Sequence, residues 1–356
     1  MSRIIDHRLT KAARELIGAF ADLGTLLPLT LGLIICNGIS ADAVFILLGL
    51  TYILVGAYYR LPIPVQPMKA LAMIAITTGA STGQIRAAAW WMAIILIIFG
   101  TTRIAEKLND LFPRFLIHVL QLNLGIMMLR TGAKFILSYP SILADVIPGS
   151  DRITEHVAGS GLLPTMADFG SALILLVIPQ LPLTIGNAML ATRDCALNYF
   201  GDKAKRVTPS KLALSMGIGN FAAALIGGIP ICHGAGGMTA HYRLGARTGA
   251  ACVIIGSALV IVGILEGHSA PAMLSMMPAA ILGLLLGYVG IRHAMLARES
   301  FRTPEMAIVI VLSAIAGWFS GSILLSFAVG LVANYISTRM MQWKKNRAEA
   351  PDERNQ

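Results

Sequence analysis

The segments Pro62-Ile-Pro-Val-Gln-Pro-Met-Lys-Ala70 and Gly227-Gly-Ile-Pro-Ile-Cys-His-Gly-Ala-Gly-Gly237 interrupt two apolar stretches and decide the fold. Proline suits the first turn of a helix, where its missing N–H has no helical partner, and glycine lets the backbone approach a ligand closely. Each segment therefore predicts a broken helix with a free N-terminus inside the protein. Two such ends facing each other would form an anion site; the alternative is two ordinary kinks packed against neighbouring helices.

The composition around these segments is that of a polytopic membrane protein. Of 356 residues, 56% are hydrophobic and 13% are charged, and the mean hydropathy is +0.73. Soluble domains carry about 25% charged residues, so the soluble and disordered classes are excluded. The four cysteines exclude a disulfide scaffold. The N-terminus has no pattern of a cleaved signal peptide, so we expect the first apolar stretch to be retained as a span.

Hydropathy and Gly/Pro breaks predict about twelve spans, within a range of about ten to fourteen that the length allows at about 20 residues per span. The residues from 135 to 167 are too polar to span and are predicted to form an extracytoplasmic loop, and residues 344–356 a charged cytoplasmic tail. The predicted spans are 15–36, 42–59, 63–79, 85–102, 113–131, 169–192, 211–228, 230–246, 249–266, 271–291, 304–318 and 320–338.

The basic residues predict the orientation of these spans. The net charge of +10 comes from 28 Lys and Arg against 18 Asp and Glu. With the N-terminus inside, all the basic residues fall on cytoplasmic segments except Lys69, Arg86, Arg130, Lys134 and Arg152. This bias is the positive-inside pattern, so we expect a multi-pass protein of the cell (inner, cytoplasmic) membrane with both termini in the cytoplasm. The positive charge then reports orientation, and no nucleic-acid partner is expected.

Three landmarks recur in the same order in the two halves of the chain. Leu27-Pro-Leu-Thr-Leu-Gly32 returns as Leu181-Pro-Leu-Thr-Ile-Gly186, Ile63-Pro-Val65 returns as Ile229-Pro-Ile231, and 124–130 returns loosely as 286–292. Five predicted spans separate the copies, and an odd number inverts the second copy in the bilayer. Many secondary transporters are built from inverted repeats. We therefore predict an all-α fold with a first repeat over 1–134, a second over 168–303 and two C-terminal spans over 304–343.

Four motifs carry a family resemblance that runs from about residue 15 to 335. They are Gly18–Thr30, Pro64-Val-Gln-Pro-Met-Lys-Ala70, Gln180–Ala188 and Cys232-His-Gly-Ala-Gly-Gly237, and they resemble the signatures of the molybdate transporter family related to the SulP sulfate permeases. The resemblance implies a core and a gate domain built from inverted repeats, with an oxyanion held between two half-helices. SulP permeases typically have fourteen spans and a C-terminal STAS domain. This chain has about twelve predicted spans and ends about 18 residues after the last of them, so no such domain is expected here.

Lys69 is the strongest candidate for a substrate ligand, because a charge inside a span is costly unless it is paired or faces a polar cavity. It could offset the charge of a divalent oxyanion; the alternatives are snorkelling or a salt bridge to Asp22. Neutral side chains in the motifs could donate to a tetrahedral oxyanion, although polar residues also hold membrane helices together. The predicted substrate-binding residues are Gln66, Lys69, Thr30, Thr184, Asn187, Cys232, His233 and Gly234.

Asp22 and His233 are the candidate titratable groups. An intramembrane carboxylate is a functional hypothesis by default, so Asp22 is the candidate for a coupling proton; the alternative is a structural partner of Lys69 or Arg14. His233 could donate to the oxyanion or titrate near neutral pH, and packing is the alternative. Cys232 and His233 have no partner at zinc spacing, so no metal and no cofactor are expected.

Together these features predict a secondary active transporter that imports a tetrahedral oxyanion by alternating access. A proton is the expected coupling ion, and exchange in place of symport stays open. Molybdate is the preferred substrate because of the family motifs, and a sulfate transporter of the same architecture is the alternative. A proton-coupled nucleobase or carboxylate carrier is less favoured, because 180–190 and 229–240 contain no acidic residue. No catalytic motif indicates an enzyme. The sequence does not set the oligomeric state, and a homodimer stays open.

Overall fold

The computed structural model describes residues 2–107, 114–137, 163–269, 279–320 and 323–348, and these are helical nearly throughout. In the first half the helices are α1 (Ser2–Ala19), α2 (Leu23–Asn37), α3 (Ala41–Tyr59), α4 (Lys69–Thr78), α5 (Thr82–Thr102), α6 (Ile104–Lys107) and α7 (Arg114–Leu137). In the second half they are α8 (Met166–Ala172), α9 (Ile178–Leu183), α10 (Thr192–Phe200), α11 (Pro209–Ile226), α12 (Ala235–Arg243), α13 (Ala250–Ser269), α14 (Ala279–Leu296), α15 (Pro304–Ser320) and α16 (Ile323–Ala348).

Two long helices contain irregular turns. A 3₁₀ turn, Phe20–Asp22, joins α1 to α2. Two π-helical segments, Leu173–Val177 and Thr184–Ala191, join α8, α9 and α10. Such departures from α-helical winding are often found at functional sites. The four described helices that are long and apolar enough to cross a membrane are Lys11–Asn37, Ala41–Tyr59, Thr82–Thr102 and Met166–Arg206.

Most predicted spans coincide with described helices, and the differences lie at their ends. Helix α7 extends six residues beyond the predicted span 113–131, and α16 continues from the predicted span 320–338 into the predicted tail, as far as Ala348. The predicted loop 135–167 overlaps α7 and α8 at its two ends, and its middle lies outside the described residues. The start of the predicted span 271–291 also lies outside the described residues.

The predicted spans 63–79 and 230–246 are not complete helices. Each consists of an extended segment followed by a short helix, α4 with 10 residues and α12 with 9. At 1.5 Å per residue each helix is about 15 Å long, half of a hydrocarbon core of about 30 Å. Hydropathy found these stretches because they are apolar, but prolines prevent the first part of each from being helical.

The two extended segments cross in the middle of the protein. Strand β1 (Gln66–Pro67) pairs antiparallel with β2 (Ile231–Cys232), with Gln66 opposite Cys232. The N–H of Met68 continues this pairing by donating to the carbonyl of Pro230 at 2.9 Å. Because α4 and α12 follow these strands directly, their N-termini are brought to the same place, as the sequence predicts.

The helix packing has the symmetry of an inverted repeat. Helix α3 packs along α13, α5 along α11 and α7 along α14. The repeat makes α3 equivalent to α11 and α5 to α13, so the first two contacts are the same contact formed twice. The third joins two equivalent helices across the pseudo-symmetry axis. This confirms the predicted fold class.

Glycines let two of these pairs approach closely. A methyl group on Gly49 would lie 2.5 Å from the carbonyl oxygen of Gly256, and one on Gly56 would lie 2.6 Å from that of Gly249. Small residues at such spacing let membrane helices bring their backbones together. The α7–α14 pair repeats the pattern with Gly125, Gly132, Gly283 and Gly290.

The helices form two groups with the half-helices in the first. Helices α7, α14, α15 and α16 pack on one another, and this group is called the gate. The remaining helices surround α4 and α12 and are called the core. The gate meets the core where α14 contacts α2 and α7 contacts α4. The half-helices therefore lie beside the boundary between the two groups.

Candidate functional site

The N-terminus of α4 carries a charge, but part of its backbone is already capped. Lys69 is its first residue and is only 3% exposed. The Oε1 atom of Gln180 accepts the N–H of Ala70 at 2.9 Å and that of Leu71 at 3.1 Å. Two of the orphan donors of this helix are thus satisfied by the protein itself. The expectation that both half-helices offer free N–H groups is therefore wrong for these two groups of α4.

The N-terminus of α12 is uncapped. Its N-cap residue, Gly234, has an extended backbone and forms no side-chain cap. The first helical hydrogen bond runs from the N–H of Met238 to the carbonyl of Gly234. Within the described residues, the N–H groups of Ala235, Gly236 and Gly237 have no hydrogen-bond partner. A helix end in this state binds anions through its free amides and its dipole.

Three polar side chains converge on Gly234. A methyl group there would lie 3.0 Å from Gln66 Oε1, 3.3 Å from Lys69 Nζ and 3.6 Å from Asn187 Nδ2. Gln66 Oε1 is buried and has no partner among the described residues. The space next to Gly234, here called the pocket, is thus bordered by an ammonium, two amide side chains and the free turn of α12.

The surroundings of Lys69 do not match either structural alternative. A side chain that is 3% exposed does not snorkel to the interface. Among the described residues, none of the ion pairs within 4.0 Å joins Lys69 to Asp22. The ammonium is therefore buried beside the pocket, and within the described part of the chain no carboxylate lies within 4.0 Å of it.

The other neutral candidates lie on two equivalent helices. The hydroxyl of Thr30 on α2 is buried and has no partner among the described residues. Thr184 is also buried, but its hydroxyl accepts the Nε2 donor of Gln180 at 2.9 Å. Asn187 lies in the π-helical segment Thr184–Ala191 and faces Gly234. Asn187 thus borders the pocket and Thr30 has an unpartnered hydroxyl among the described residues, whereas Thr184 positions the Gln180 cap of α4.

Asp22 is buried beside the pocket, in the 3₁₀ turn between α1 and α2. Its Oδ2 accepts the hydroxyl of Tyr52 at 3.2 Å, and its Oδ1 accepts Nε2 of Gln66. A methyl group on Gly237 would lie 2.8 Å from Oδ1. The carboxylate is therefore adjacent both to the first turn of α12 and to a side chain that borders the pocket.

Cys232 and His233 hold the strand crossing together. The Nδ1 atom of His233 donates to the carbonyl of Pro64 at 2.8 Å, and its Nε2 lies 2.8 Å from Ser215 Oγ. The thiol of Cys232 lies 3.7 Å from the carbonyl of Pro67. Both ring nitrogens of His233 are thus used inside the protein, which favours the packing alternative for this residue. In the described part of the chain, no group of three His, Cys, Asp or Glu residues could hold a metal ion.

Sequence reasoning did not select three polar residues near the site. Gln180 caps α4, although it stands in the Gln180–Ala188 motif and could have been chosen there. His241 on α12 is fully buried, donates through Nδ1 to the carbonyl of Gly18 and has no partner at Nε2 among the described residues. His293 on α14 is buried within range of the Lys69 charge. His293 directly follows the repeat landmark 286–292, and this position is the sequence signal that could have identified it.

The chain is similar to known anion transporters in sequence and in fold. A family model described as "Molybdate transporter of MFS superfamily" matches residues 14–128 and 172–292, well over half of the chain. "Molybdate transporter 2" of Arabidopsis thaliana is 26% identical over 89% of this chain and 86% of its own length. "Molybdate transporter 1" of the same plant is 24% identical over 94% and 89%.

Solved structures show the same architecture. The transmembrane domain of a cyanobacterial bicarbonate transporter, BicA, matches 91% of this chain and 97% of its own with a TM-score of 0.61 and 15% identity. The structure of SLC26A9 matches 93% of this chain and 66% of its own with a TM-score of 0.61 and 13% identity. At these identities the likeness concerns the fold, which is that of the SulP and SLC26 transporters.

Proposed function

Because the chain belongs to this molybdate transporter family, we propose that it imports a tetrahedral oxyanion, molybdate in the first place, across the cytoplasmic membrane. The observation that carries the proposal is the pocket at Gly234, where the uncapped turn of α12 and the buried Lys69 ammonium meet. Backbone N–H groups and an ammonium are the donors that an oxyanion needs. Hydrogen bonds from charged groups are roughly twice as strong as neutral ones.

We propose that the anion is held at the tip of α12, with Lys69 on its other side. Thr30 and Asn187 then supply neutral donors. A divalent anion leaves water only if this loss of hydration is compensated, and the buried ammonium and the helix dipole both do so. Among the described residues no carboxylate lies within 4.0 Å of the Lys69 ammonium, so this group can pair with the substrate.

The two packed groups of helices support transport by alternating access. In transporters with inverted repeats, one unit carries the site and moves against the other. Here the core contains both half-helices. It meets the gate beside α4, where α2 contacts α14 and α4 contacts α7. We propose that the core moves against the gate and carries the anion between the two sides. Both termini then lie in the cytoplasm, as the positive-inside pattern predicts.

Import of a divalent anion into a negative-inside cell requires an energy source. Each charge costs about 2.3 kcal/mol per 100 mV of membrane potential. We propose that protons enter together with the anion and that Asp22 is their site. In support of this assignment, Asp22 is buried, lies beside the first turn of α12 and has no bound cation within 4.0 Å among the described residues.

Uptake of isotope-labelled molybdate into proteoliposomes tests this function. We expect uptake that an inwardly directed proton gradient stimulates and that excess sulfate inhibits only weakly. Equal inhibition by unlabelled molybdate and by sulfate would remove the preference for molybdate and favour the sulfate alternative. Failure to transport either anion would refute the proposal, and uptake that is indifferent to the gradient would refute proton coupling alone.

A further inference from the structure

The side chain of Gln66 lies between Asp22 and the pocket, and only one end of its amide has a partner. Its Nε2 donates to Oδ1 of Asp22. Its Oε1 is buried without a partner among the described residues and lies 3.0 Å from the position of a methyl group on Gly234. A polar atom that is fully buried and unpartnered is costly. The open end of the amide thus faces the place that we assign to the anion.

The protonation state of Asp22 determines which end of this amide can face it. An ionised carboxylate only accepts hydrogen bonds, so Gln66 must offer it the NH₂ group and must turn its carbonyl oxygen to the pocket. A protonated Asp22 can donate. Tyr52 already donates to Oδ2, so Oδ1 is the oxygen that takes the proton and passes its O–H to Gln66. The two ends of an amide are similar in size, so the side chain can rotate without repacking.

We propose that Gln66 is the positioning residue that couples proton binding to anion binding. With Asp22 ionised, the carbonyl of Gln66 opposes an anion in the pocket. When Asp22 takes a proton, the Gln66 amide rotates, accepts the O–H of Asp22 and directs its N–H groups to the anion. Linkage is reciprocal, so the anion then raises the affinity of Asp22 for its proton by the same factor. This inference rests on the proposed oxyanion transport.

Other titratable groups also face Asp22. They are Lys69 on α4, Tyr52 on α3, His241 on α12 and the thiols of Cys232 and Cys252. Of these, His241 has a buried ring nitrogen, Nε2, without a hydrogen-bond partner among the described residues. A test must therefore separate Asp22 from His241, and it must separate rotation of the amide from the simple loss of the Asp22 charge.

The experiment is calorimetric titration of the purified full chain with molybdate at about pH 6 and about pH 8, a range that brackets the ordinary histidine titration. For the wild type we expect affinity to fall about tenfold or more across this range, since uptake of one proton gives up to about tenfold per pH unit. In Asp22→Asn the hydroxyl of Tyr52 fixes the new amide with its NH₂ toward Gln66. We expect this variant to bind at both pH values within about twofold of the wild type at low pH.

Two further variants make the result decisive. Gln66→Met keeps the Asp22 charge but has no amide, so we expect its pH dependence to shrink to about threefold or less. His241→Gln should keep the wild-type dependence. Full pH dependence in Gln66→Met, or its survival in Asp22→Asn with loss in His241→Gln, would overturn the coupling role of Gln66. A wild type that binds neither molybdate nor sulfate would instead refute the proposed function, and the inference with it.

Discussion

The two half-helices occupy equivalent positions in the inverted repeat, yet their N-termini differ in chemistry. Helix α4 begins with Lys69, and Gln180 caps two of its backbone donors. Helix α12 begins after Gly234 with small residues only, and the N–H groups of its first turn have no partner in the described part of the chain. One end therefore contributes a charge and the other contributes backbone donors and room. The inverted repeat thus brings the two helix N-termini together, and the residues at each end give them different chemical roles.

Replacement of Lys69 should have the largest effect, because it removes the charge that distinguishes the N-terminus of α4 from that of α12. In Lys69→Ala the pocket keeps the backbone amides of α12 but loses the ammonium that α4 contributes. Removal of a charged hydrogen-bond partner costs about 3 kcal/mol, so we expect molybdate uptake by proteoliposomes to fall about 100-fold or more. Lys69→Arg is the matched control and should retain a measurable part of the uptake. Wild-type kinetics in Lys69→Ala, with normal amounts of protein in the membrane, would show that Lys69 is structural only.

The tip of α12 can be tested with two neighbouring glycines. A methyl group on Gly234 lies 3.0 Å from Gln66 Oε1 and fills the pocket, whereas one on Gly236 has no atom within 4 Å. Gly234 has an extended backbone, which alanine also adopts, and Gly236 lies within the helix, where alanine is favoured over glycine. We expect Gly234→Ala to lower molybdate affinity about tenfold or more, and Gly236→Ala to bind like the wild type, since one such contact change is worth about 1 to 3 kcal/mol. Equal affinities of the two variants would place the anion elsewhere.

Gln180→Glu sharpens the difference between the two ends. The new carboxylate can still accept the N–H groups of Ala70 and Leu71, and the hydroxyl of Thr184 can donate to it, so the cap of α4 persists. It also adds a negative charge beside Lys69. We expect unchanged thermal stability and an affinity for molybdate about tenfold lower, since a change of about 1.4 kcal/mol gives tenfold. A lower melting temperature with unchanged affinity would show that Gln180 serves only the helix.

The sequence predicted the parts of the site that depend on residue type and order. Prolines and glycines marked both half-helices, the repeated Leu-Pro-Leu-Thr motif gave the inverted repeat, and Lys69 stood out as a charge in an apolar stretch. It did not predict which helix end is capped, because Gln180 lies 110 residues from Ala70 along the chain. His233 was chosen for its position at a helix start, but its partner Pro64 is 169 residues away. Contacts between distant segments follow from packing, which periodicity and motifs do not record.

The smallest expected effect concerns the chain that leads into each half-helix. Helix α3 is followed by its C-cap residue Arg60 with φ 57°, and the equivalent helix α11 is followed by Gly227 with φ 76°. A left-handed backbone costs a non-glycine residue about 1 to 2 kcal/mol, so Arg60→Gly should stabilise the protein by about 1 kcal/mol and Gly227→Ala should destabilise it by a similar amount. Thermal unfolding in detergent measures both. Arg60→Ala is the control, because it removes the charge but keeps the strained backbone; equal stability of Arg60→Ala and Arg60→Gly would assign the effect to the arginine side chain.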